Sequence, residues 1–254
     1  MPFLSPDLLA LAHIAADAGR VVMRHYGSGA AIRTKDDHSP VTDADHEAEA
    51  LILKRLADHF PGVAVVAEEE TAAGRTVAAC SRFFLVDPLD GTREFISGNG
   101  EFTVNIAEIR DGVPVMGVVY APAKNRLFLG GLGQGALEMT GDLSASRAIQ
   151  VRSAPADGLV AVGSRSHNDE KTAEYLTRFA VKDFVSAGSS LKFALVAAGE
   201  ADIYARAGRT MEWDTAAGQA VLMAAGGSVT LWDGAPFLYG KPGFENPGFV
   251  ARGK

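Results

Sequence analysis

A short apolar run that ends in two acids constrains this chain more than any other feature. Residues 83–86 (FFLV) have the pattern of a buried strand, and Asp87 and Asp90 follow directly. Pro88, between them, fixes φ and has no N–H, so we expect the strand to end at Asp87. The apolar residues would then draw two carboxylates toward the interior of the fold.

The turn after this strand offers oxygen ligands to a metal ion. The Asp87 and Asp90 carboxylates and the Leu89 carbonyl are the hard ligands that Mg²⁺ or Mn²⁺ prefers. Gly91 and Thr92 open a predicted short helix whose free N–H groups suit a phosphate. A surface turn is the alternative, because Asp, Pro and Gly are common in turns. Neighbouring buried carboxylates repel each other unless a proton or a cation intervenes, which favours the metal site.

The composition is that of an ordinary globular enzyme. The chain has 254 residues, 47% of them hydrophobic, enough to bury a large core as one domain or two packed halves. Its net charge of −7 without a basic run argues against a nucleic-acid polymer as partner, but a small phosphorylated ligand remains compatible. The single cysteine, Cys80, fits a reducing cytoplasm. We expect no signal peptide and no transmembrane segment, because no stretch approaches about 18 apolar residues.

A stretch rich in Gly, Ser and small polar residues, 130–155, is predicted to separate two halves of the chain, residues 1–145 and 146–254. Helical patterns are predicted at 6–24 and 45–59. The strand patterns of the first half indicate an antiparallel sheet and lie at 63–66, 83–86, 103–109, 113–120 and 127–129. In the second half, strands and helices alternate from residue 160 to residue 231, which indicates a partly parallel sheet covered by helices.

Three further acidic positions each have two interpretations. Glu68 follows another apolar run, so it can meet Asp87 at a sheet edge or lie in a solvated acidic turn. Asp214 and Asp45 each stand at a predicted helix start, where a carboxylate can cap free N–H groups. Asp214 can instead reach a cation, and Asp45 can instead orient a water molecule. The residues alone leave these alternatives open.

Together these strings resemble one family of enzymes. The chain is similar to the inositol-monophosphatase-like, metal-dependent phosphatases, and within them to the CysQ-type 3′(2′),5′-bisphosphate nucleotidases. The superfamily is indicated by residues 87–92 (DPLDGT) together with 213–214 (WD). The nucleotidase branch is indicated by 94–95 (EF), 99–106 (NGEFTVNI) and 188–192 (GSSLK). Similar strings extend the resemblance along nearly the whole chain, at 39–45, 68–69, 117–122 and 164–167.

The resemblance implies an α/β (α+β) fold, a layered α-β-α-β-α sandwich of the inositol monophosphatase and fructose-1,6-bisphosphatase type. It also implies two or three Mg²⁺ ions, with Mn²⁺ as a possible substitute. The metal ligands that it assigns are Glu68, Asp87, the Leu89 carbonyl, Asp90 and Asp214. Of these, all but Asp87 are also expected to line the substrate site. The residues assigned to position and activate the attacking water are Asp45, Glu68 and Thr92, and the backbone N–H groups of Gly91 and Thr92 would cradle the phosphate.

At the nucleotide end, the family uses a Ser-His pair, a Gly-Ser-x-x-Lys string and a strand arginine. The matching residues are Ser166, His167, Ser189, Lys192 and Arg206. The alternatives are solvent-facing charges at Lys192 and Arg206 and a plain loop residue at His167. The chain departs from the family at Arg93, where the nucleotidases often have Lys, and at Ala205, where Pro is more frequent.

The activity that the resemblance implies is hydrolysis of the 3′-phosphate of adenosine 3′,5′-bisphosphate to AMP and phosphate, a reaction associated with sulfur assimilation. We expect Li⁺ sensitivity, as is common in the family, and a monomer or homodimer in the cytoplasm with at most peripheral membrane attachment. One alternative is the same chemistry on an inositol, sugar or histidinol monophosphate. Another is a non-catalytic module that binds metal or nucleotide.

Overall fold

The computed structural model describes residues 4–27, 32–34, 40–75, 80–164 and 169–254. Its α-helices are α1 (Pro6–His25), α2 (Asp43–His59), α3 (Glu68–Ala72), α4 (Thr92–Ser97), α5 (Glu170–Leu176), α6 (Leu191–Ala197) and α7 (Glu212–Ala224). Its first strands are β1 (Ile32–Thr34), β2 (Pro40–Thr42), β3 (Ala64–Ala67), β4 (Arg82–Asp90), β5 (Thr103–Arg110), β6 (Val113–Ala121), β7 (Arg126–Gly131), β8 (Gly135–Met139) and β9 (Ser146–Ile149). The remaining strands are β10 (Leu159–Gly163), β11 (Val181–Ser186), β12 (Ile203–Arg206), β13 (Thr210–Met211), β14 (Ser228–Leu231), β15 (Glu245–Asn246) and β16 (Phe249–Arg252).

The larger sheet has seven strands in the order β3-β4-β5-β6-β7-β8-β9. Strands β4 to β9 pair antiparallel in sequence, which confirms the predicted antiparallel sheet for β4 to β7. The prediction was wrong for β3, which lies parallel to β4. The strands β8 and β9 fall in a stretch rich in Gly and Ser that had no strand prediction. The smaller sheet has the order β11-β10-β12-β16-β14 and mixes parallel with antiparallel pairs, which confirms the predicted partly parallel sheet.

Three apolar clusters separate the helices into layers. Successive residues of β4 face opposite ways, so Phe84 packs with α1 and α2 while Phe83 packs with α6 and α7. The cluster that contains Phe83 also includes Phe249 of β16 in the smaller sheet. The helices α6 and α7 therefore lie between the two sheets. On the far side of the smaller sheet, Tyr175 of α5 packs against Ile203. The order of layers is therefore α-β-α-β-α, which confirms the predicted fold class.

The end of β4 differs from the prediction. The strand does not stop at Asp87 but continues through Pro88 to Asp90. Asp87 lies opposite Asn105 and Asp90 opposite Thr103, so three steps on β4 match two on β5. This irregularity accommodates Pro88, because a bulged residue needs no ladder N–H. The prediction was wrong about the strand boundary because it allowed for no bulge.

Glycines bring α7 close to the larger sheet. A Cβ added to Gly117 of β6 would lie 2.9 Å from the Ala217 Cα, and one added to Gly130 of β7 would lie 2.7 Å from the Ala224 Cβ. Both distances are below ordinary van der Waals contact, so these positions require the absence of a side chain. The close packing carries the first turn of α7 toward the end of β4.

The two predicted halves share one core cluster, since Phe83 and Phe249 belong to it. Strand β9 begins at residue 146 and still belongs to the larger sheet. The division of the chain at 145/146 stays a prediction. Among the described residues, no helix has the length and apolar character needed to cross a membrane.

Candidate active site

A cleft of about 290 Å³ lies where β4 ends and α4, α6 and α7 begin. Three of the predicted ligands line it, Glu68, Asp90 and Asp214. Asp87 is only 1% exposed, yet its electrostatic neighbours are these same three carboxylates. The structure thus gathers at one place acids that are far apart in the sequence.

Each aspartate of this acid cluster (Asp87, Asp90 and Asp214) gives one oxygen to a backbone N–H. Asp87 Oδ1 accepts from Leu89 N at 2.9 Å, and Asp90 Oδ2 accepts from Ser190 N at 2.6 Å. Asp214 Oδ2 accepts from Met211 N at 2.8 Å, three residues before it, as a helix cap does. Capping is therefore part of the role of Asp214, and its position on the cleft leaves the other oxygen for a ligand.

The protonation of these acids reflects crowding and burial. Burial raises the pKa of Asp87 well above its usual value, and the nearby Glu68, Asp90 and Asp214 raise it further. Burial likewise raises the pKa of Asp214, with Asp90 and Glu68 adding to the effect. Burial raises the pKa of Asp90 to about 6, although Lys192 and the Ser190 N–H act against it. Without a cation, burial and mutual repulsion therefore favour the protonated forms of these carboxyls over the ionised forms.

The donor set was compared with what a divalent cation requires. In the part of the chain that the structure describes, no three His, Cys, Asp or Glu side chains form a group that could hold a metal ion by themselves. Water, phosphate oxygens and the Leu89 carbonyl would have to complete the coordination, as is usual for Mg²⁺. That carbonyl accepts the Thr92 hydroxyl at 3.3 Å and keeps a second lone pair. Crowded carboxylates with raised pKa values fit a dication, which would replace the protons.

Asp45 caps a helix with one carboxylate oxygen, and its other oxygen lies beside Thr92. It is 2% exposed, and its Oδ2 accepts the N–H of Thr42 at 2.8 Å, so it caps the start of α2. Its Oδ1 lies 3.3 Å from the Thr92 hydroxyl at the start of α4. The cap fixes one oxygen and leaves the other beside Thr92, at the rim of the cleft. Two of the three residues predicted to position the attacking water, Asp45 and Thr92, are therefore neighbours.

Glu68 is the first residue of α3, a helix of five residues. The first turn of α3 is held by Glu49 of α2, which sequence reasoning missed. The Glu49 carboxylate accepts Glu69 N at 2.8 Å and Glu70 N at 2.9 Å. Burial raises the pKa of Glu49 to about 7 although both N–H groups lower it.

The predicted phosphate loop is shaped by Gly91 and Ser189. Gly91 has φ 91° and precedes α4, whose start has no side-chain cap. Ser189 has a left-handed φ of 53°, and its hydroxyl lies 2.8 Å from the carbonyl oxygens of both Asp90 and Glu101. A Cβ at Gly91 would collide with the Ser189 Oγ. The Ser189 hydroxyl is therefore engaged by two backbone carbonyls of the protein. Contact between Ser189 and a nucleotide stays a prediction.

Two cationic side chains, Lys192 and Arg206, line the same cleft as the acid cluster. Lys192 is 3% exposed, so the alternative of a solvent-facing Lys192 is wrong. Burial lowers the pKa of Lys192 to about 8, although the Asp90 charge raises it. Arg206 lines the cleft and donates to the carbonyls of Gly208 and Arg209 at 3.3 Å. Ser166 and His167 lie outside the described residues.

Two further residues of the site had no predicted role. Tyr204 lines the cleft with its ring 5.3 Å from Lys192 Nζ, and burial raises its pKa to about 12. Ser190 donates its N–H to Asp90, and its hydroxyl lies 2.5 Å from Asn105 Oδ1 and 2.8 Å from Thr103 Oγ1. The GSSLK string contained Ser190, so the resemblance could have identified it.

Comparisons with known proteins identify the family of this chain. A 3′(2′),5′-bisphosphate nucleotidase CysQ from Salmonella typhimurium is 44% identical over 239 residues, covering 93% of this chain and 95% of the relative. The crystal structure of CysQ from Bacteroides thetaiotaomicron superposes with a TM-score of 0.83 at 35% identity, covering 99% and 98% of the two chains. An inositol monophosphatase from Anabaena gives a TM-score of 0.75 at 28% identity, covering 97% and 90%. The sequence profile of the inositol monophosphatase family matches residues 4–248. The chain therefore belongs to the inositol monophosphatase family.

Proposed function

We propose that this protein is a divalent-metal-dependent 3′(2′),5′-bisphosphate nucleotidase that hydrolyses the 3′-phosphate of adenosine 3′,5′-bisphosphate to AMP and inorganic phosphate. The observation that supports this most is a single cleft lined by both an acid cluster and buried or half-buried cations. A metal site alone would serve any phosphomonoester. Lys192 and Arg206 would meet the second phosphate that distinguishes a bisphosphate.

The residues proposed to hold two or three Mg²⁺ ions are Glu68, Asp87, the Leu89 carbonyl, Asp90 and Asp214. Bound there, Mg²⁺ or Mn²⁺ would acidify the attacking water and neutralise charge on the phosphoryl oxygens. The protein holds the acids close together at a cost, because burial and mutual repulsion raise the pKa values of Asp87 and Asp214. A cation would offset that cost.

The remaining chemistry rests on positioning by the chain itself. The Asp45 carboxylate and the Thr92 hydroxyl, 3.3 Å apart, would orient the water for in-line attack. Glu68, which also lines the cleft, would accept the proton that the water loses. The N–H groups of Gly91 and Thr92 at the open start of α4 would bind the phosphate oxygens. No side chain is needed as a covalent nucleophile.

The nucleotide end would be bound by Ser166, His167, Ser189, Lys192 and Arg206. Lys192 lies inside the cleft rather than at its rim, so its charge is weakly screened by solvent. With a pKa of about 8 it is mostly protonated at neutral pH. A dianionic phosphate beside it would raise that pKa and hold the charge. This cation therefore favours substrates with a phosphate distant from the reacting one.

The test is phosphate release from adenosine 3′,5′-bisphosphate, inositol 1-phosphate and histidinol phosphate, each with Mg²⁺ and with EDTA. We expect Mg²⁺-dependent release with the highest kcat/KM on the bisphosphate. Asp87→Asn and Asp214→Asn should each reduce it by more than roughly 100-fold. Asp142→Asn, an exposed acid in the loop before β9, serves as the matched control and should remain near wild type.

Three results would contradict the proposal. Near-wild-type activity in both Asp87→Asn and Asp214→Asn would exclude the assigned ligands. A higher kcat/KM on inositol or histidinol phosphate would keep the metal chemistry but exclude the nucleotide as the preferred substrate. Release that persists in EDTA would exclude divalent-metal dependence.

A further inference from the structure

A buried carboxylate outside the cleft holds one of its walls. Glu49 lies on α2 and is 4% exposed. Its two oxygens accept the consecutive N–H groups of Glu69 and Glu70, at 2.8 and 2.9 Å. These N–H groups belong to the first turn of α3 and have no intrahelical partner. Glu49 therefore caps α3 from a different helix.

The helix α3 has no cap of its own. Its N-cap residue is Ala67, whose side chain cannot accept a hydrogen bond. A helix of five residues gains little from its internal hydrogen bonds and depends on outside contacts. Because α3 begins at Glu68, the orientation of its first turn sets the direction of the Glu68 side chain.

The helix that carries Glu49, α2, also carries Asp45. Positions 45 and 49 are four residues apart, so their side chains lie on one face of α2. Asp45 faces Thr92 at one end of this face, and Glu49 holds the start of α3 at the other. One face of α2 thus fixes both Asp45 and the helix that presents Glu68.

We propose that Glu49 is a positioning residue for the reaction, because by holding the first turn of α3 it orients Glu68 at the cleft. This rests on the proposed function, because the placement of Glu68 matters only if the cleft binds metal and activates water. Glu49 touches neither metal nor substrate in this proposal. A purely structural role would instead lower the stability of the fold without a selective loss of metal binding.

The experiment compares Glu49→Gln with Glu108→Gln. Glu108 is a fully buried carboxylate that joins Arg82 and Arg110, at the end of β4 opposite the cleft. The readouts are Mn²⁺ affinity by EPR without substrate, kcat and KM with substrate, and Tm in EDTA. Both variants should lower Tm. Only Glu49→Gln should weaken Mn²⁺ binding, by roughly 10- to 100-fold, with kcat reduced and KM nearly unchanged.

A second-site variant tests the mechanism directly. Ala67 has the extended backbone of an N-cap residue, with φ −120° and ψ 150°. Ala67→Ser would place a hydroxyl near the same N–H groups, so in a Glu49→Ala background it should restore a large part of the Mn²⁺ affinity. Restoration would also show that loss of affinity in Glu49→Ala reflects the cap and not misfolding.

The outcomes separate the two proposals. A wild-type protein that binds Mn²⁺ but does not hydrolyse the nucleotide would count against the proposed function alone. Unchanged Mn²⁺ affinity in Glu49→Gln, or an equal loss in Glu108→Gln, would overturn the positioning role. Failure of Ala67→Ser to restore any affinity to Glu49→Ala would also overturn it.

Discussion

Removal of divalent cations should make the stability of this protein fall as the pH rises through the neutral range. The pKa of Asp90 is raised from 3.8 to about 6, and that of Glu49 from 4.5 to about 7. A raised carboxyl pKa means that the folded state holds its proton more tightly than the unfolded chain does. Stability is therefore greatest below the unfolded-state pKa and is lost as the pH rises through the folded-state pKa.

The size of this loss follows from the two pKa values. From about pH 5.5 to about pH 8, linkage gives roughly 1 kcal/mol from Asp90 and roughly 2 kcal/mol from Glu49. For a protein of this size, ~3 kcal/mol lowers Tm by about 6–12 °C. Asp87 and Asp214, whose pKa values are also raised, act in the same direction. Lys192, with its pKa lowered to about 8, opposes the trend by less than about 0.5 kcal/mol in this range.

Calorimetry in EDTA and in excess Mg²⁺ at both pH values measures the effect. At a concentration 100 times its Kd, a bound cation adds about 2.7 kcal/mol to the free energy of unfolding. Protons compete with the cation for the same carboxylates, so the gain in Tm should be larger at the higher pH. A Tm in EDTA that stays constant or rises over this range would refute the reasoning. So would a Mg²⁺ effect of equal size at both pH values.

Two glycine substitutions test the packing of the fold and of the site. Gly117→Ala should destabilise the protein by about 1–3 kcal/mol in urea unfolding, because the new Cβ lies 2.9 Å from α7. Gly208→Ala is the control: its new Cβ has no atom nearer than 3.8 Å, so the free energy of unfolding should change by less than about 0.5 kcal/mol. Equal losses of stability in Gly117→Ala and Gly208→Ala would contradict the close approach of α7 to Gly117. Gly91→Ala should reduce kcat by roughly 100-fold, because the Cβ displaces Ser189 at the phosphate loop. Gly98→Ala has a similar left-handed φ and open space, so equal kcat values in the two variants would exclude the Ser189 contact as the cause.

The sequence predicts much of the larger sheet because β4, an interior strand of that sheet, is buried on both faces. A continuous apolar run such as Phe83–Val86 then appears in place of alternation. The run and the acids after it were sufficient to locate the edge of the site. Tertiary pairing decides what the run alone cannot: the bulge that lets β4 pass Pro88 depends on the register with β5. Strands β8 and β9 were missed because their segment is rich in Gly and Ser.

The residues that support the site were harder to predict than those that line it. Glu49 stands among polar helix residues and has the sequence character of a solvated side chain. Its partners are backbone N–H groups 20 and 21 residues later, which only the fold brings near. Lys192 did carry a signal, since it is a single charge within the apolar helix LKFALVA. Such an isolated charge is typical of a buried cation with a nearby anion.

In the proposed mechanism, two carboxylates serve both as helix caps and as groups that bind a metal ion or a water molecule. Asp45 and Asp214 each give one oxygen to the N–H groups at their own helix start, and this fixes the direction of the other oxygen. An oxygen held in this way is already oriented before a cation reaches Asp214 or a water molecule reaches Asp45, which lowers the free-energy cost of organising the site. Substitution by Asn keeps an acceptor for the cap and removes the charge, whereas substitution by Ala removes both. An Asn variant that loses activity without losing helix stability would therefore separate the two uses, and an Ala variant would not.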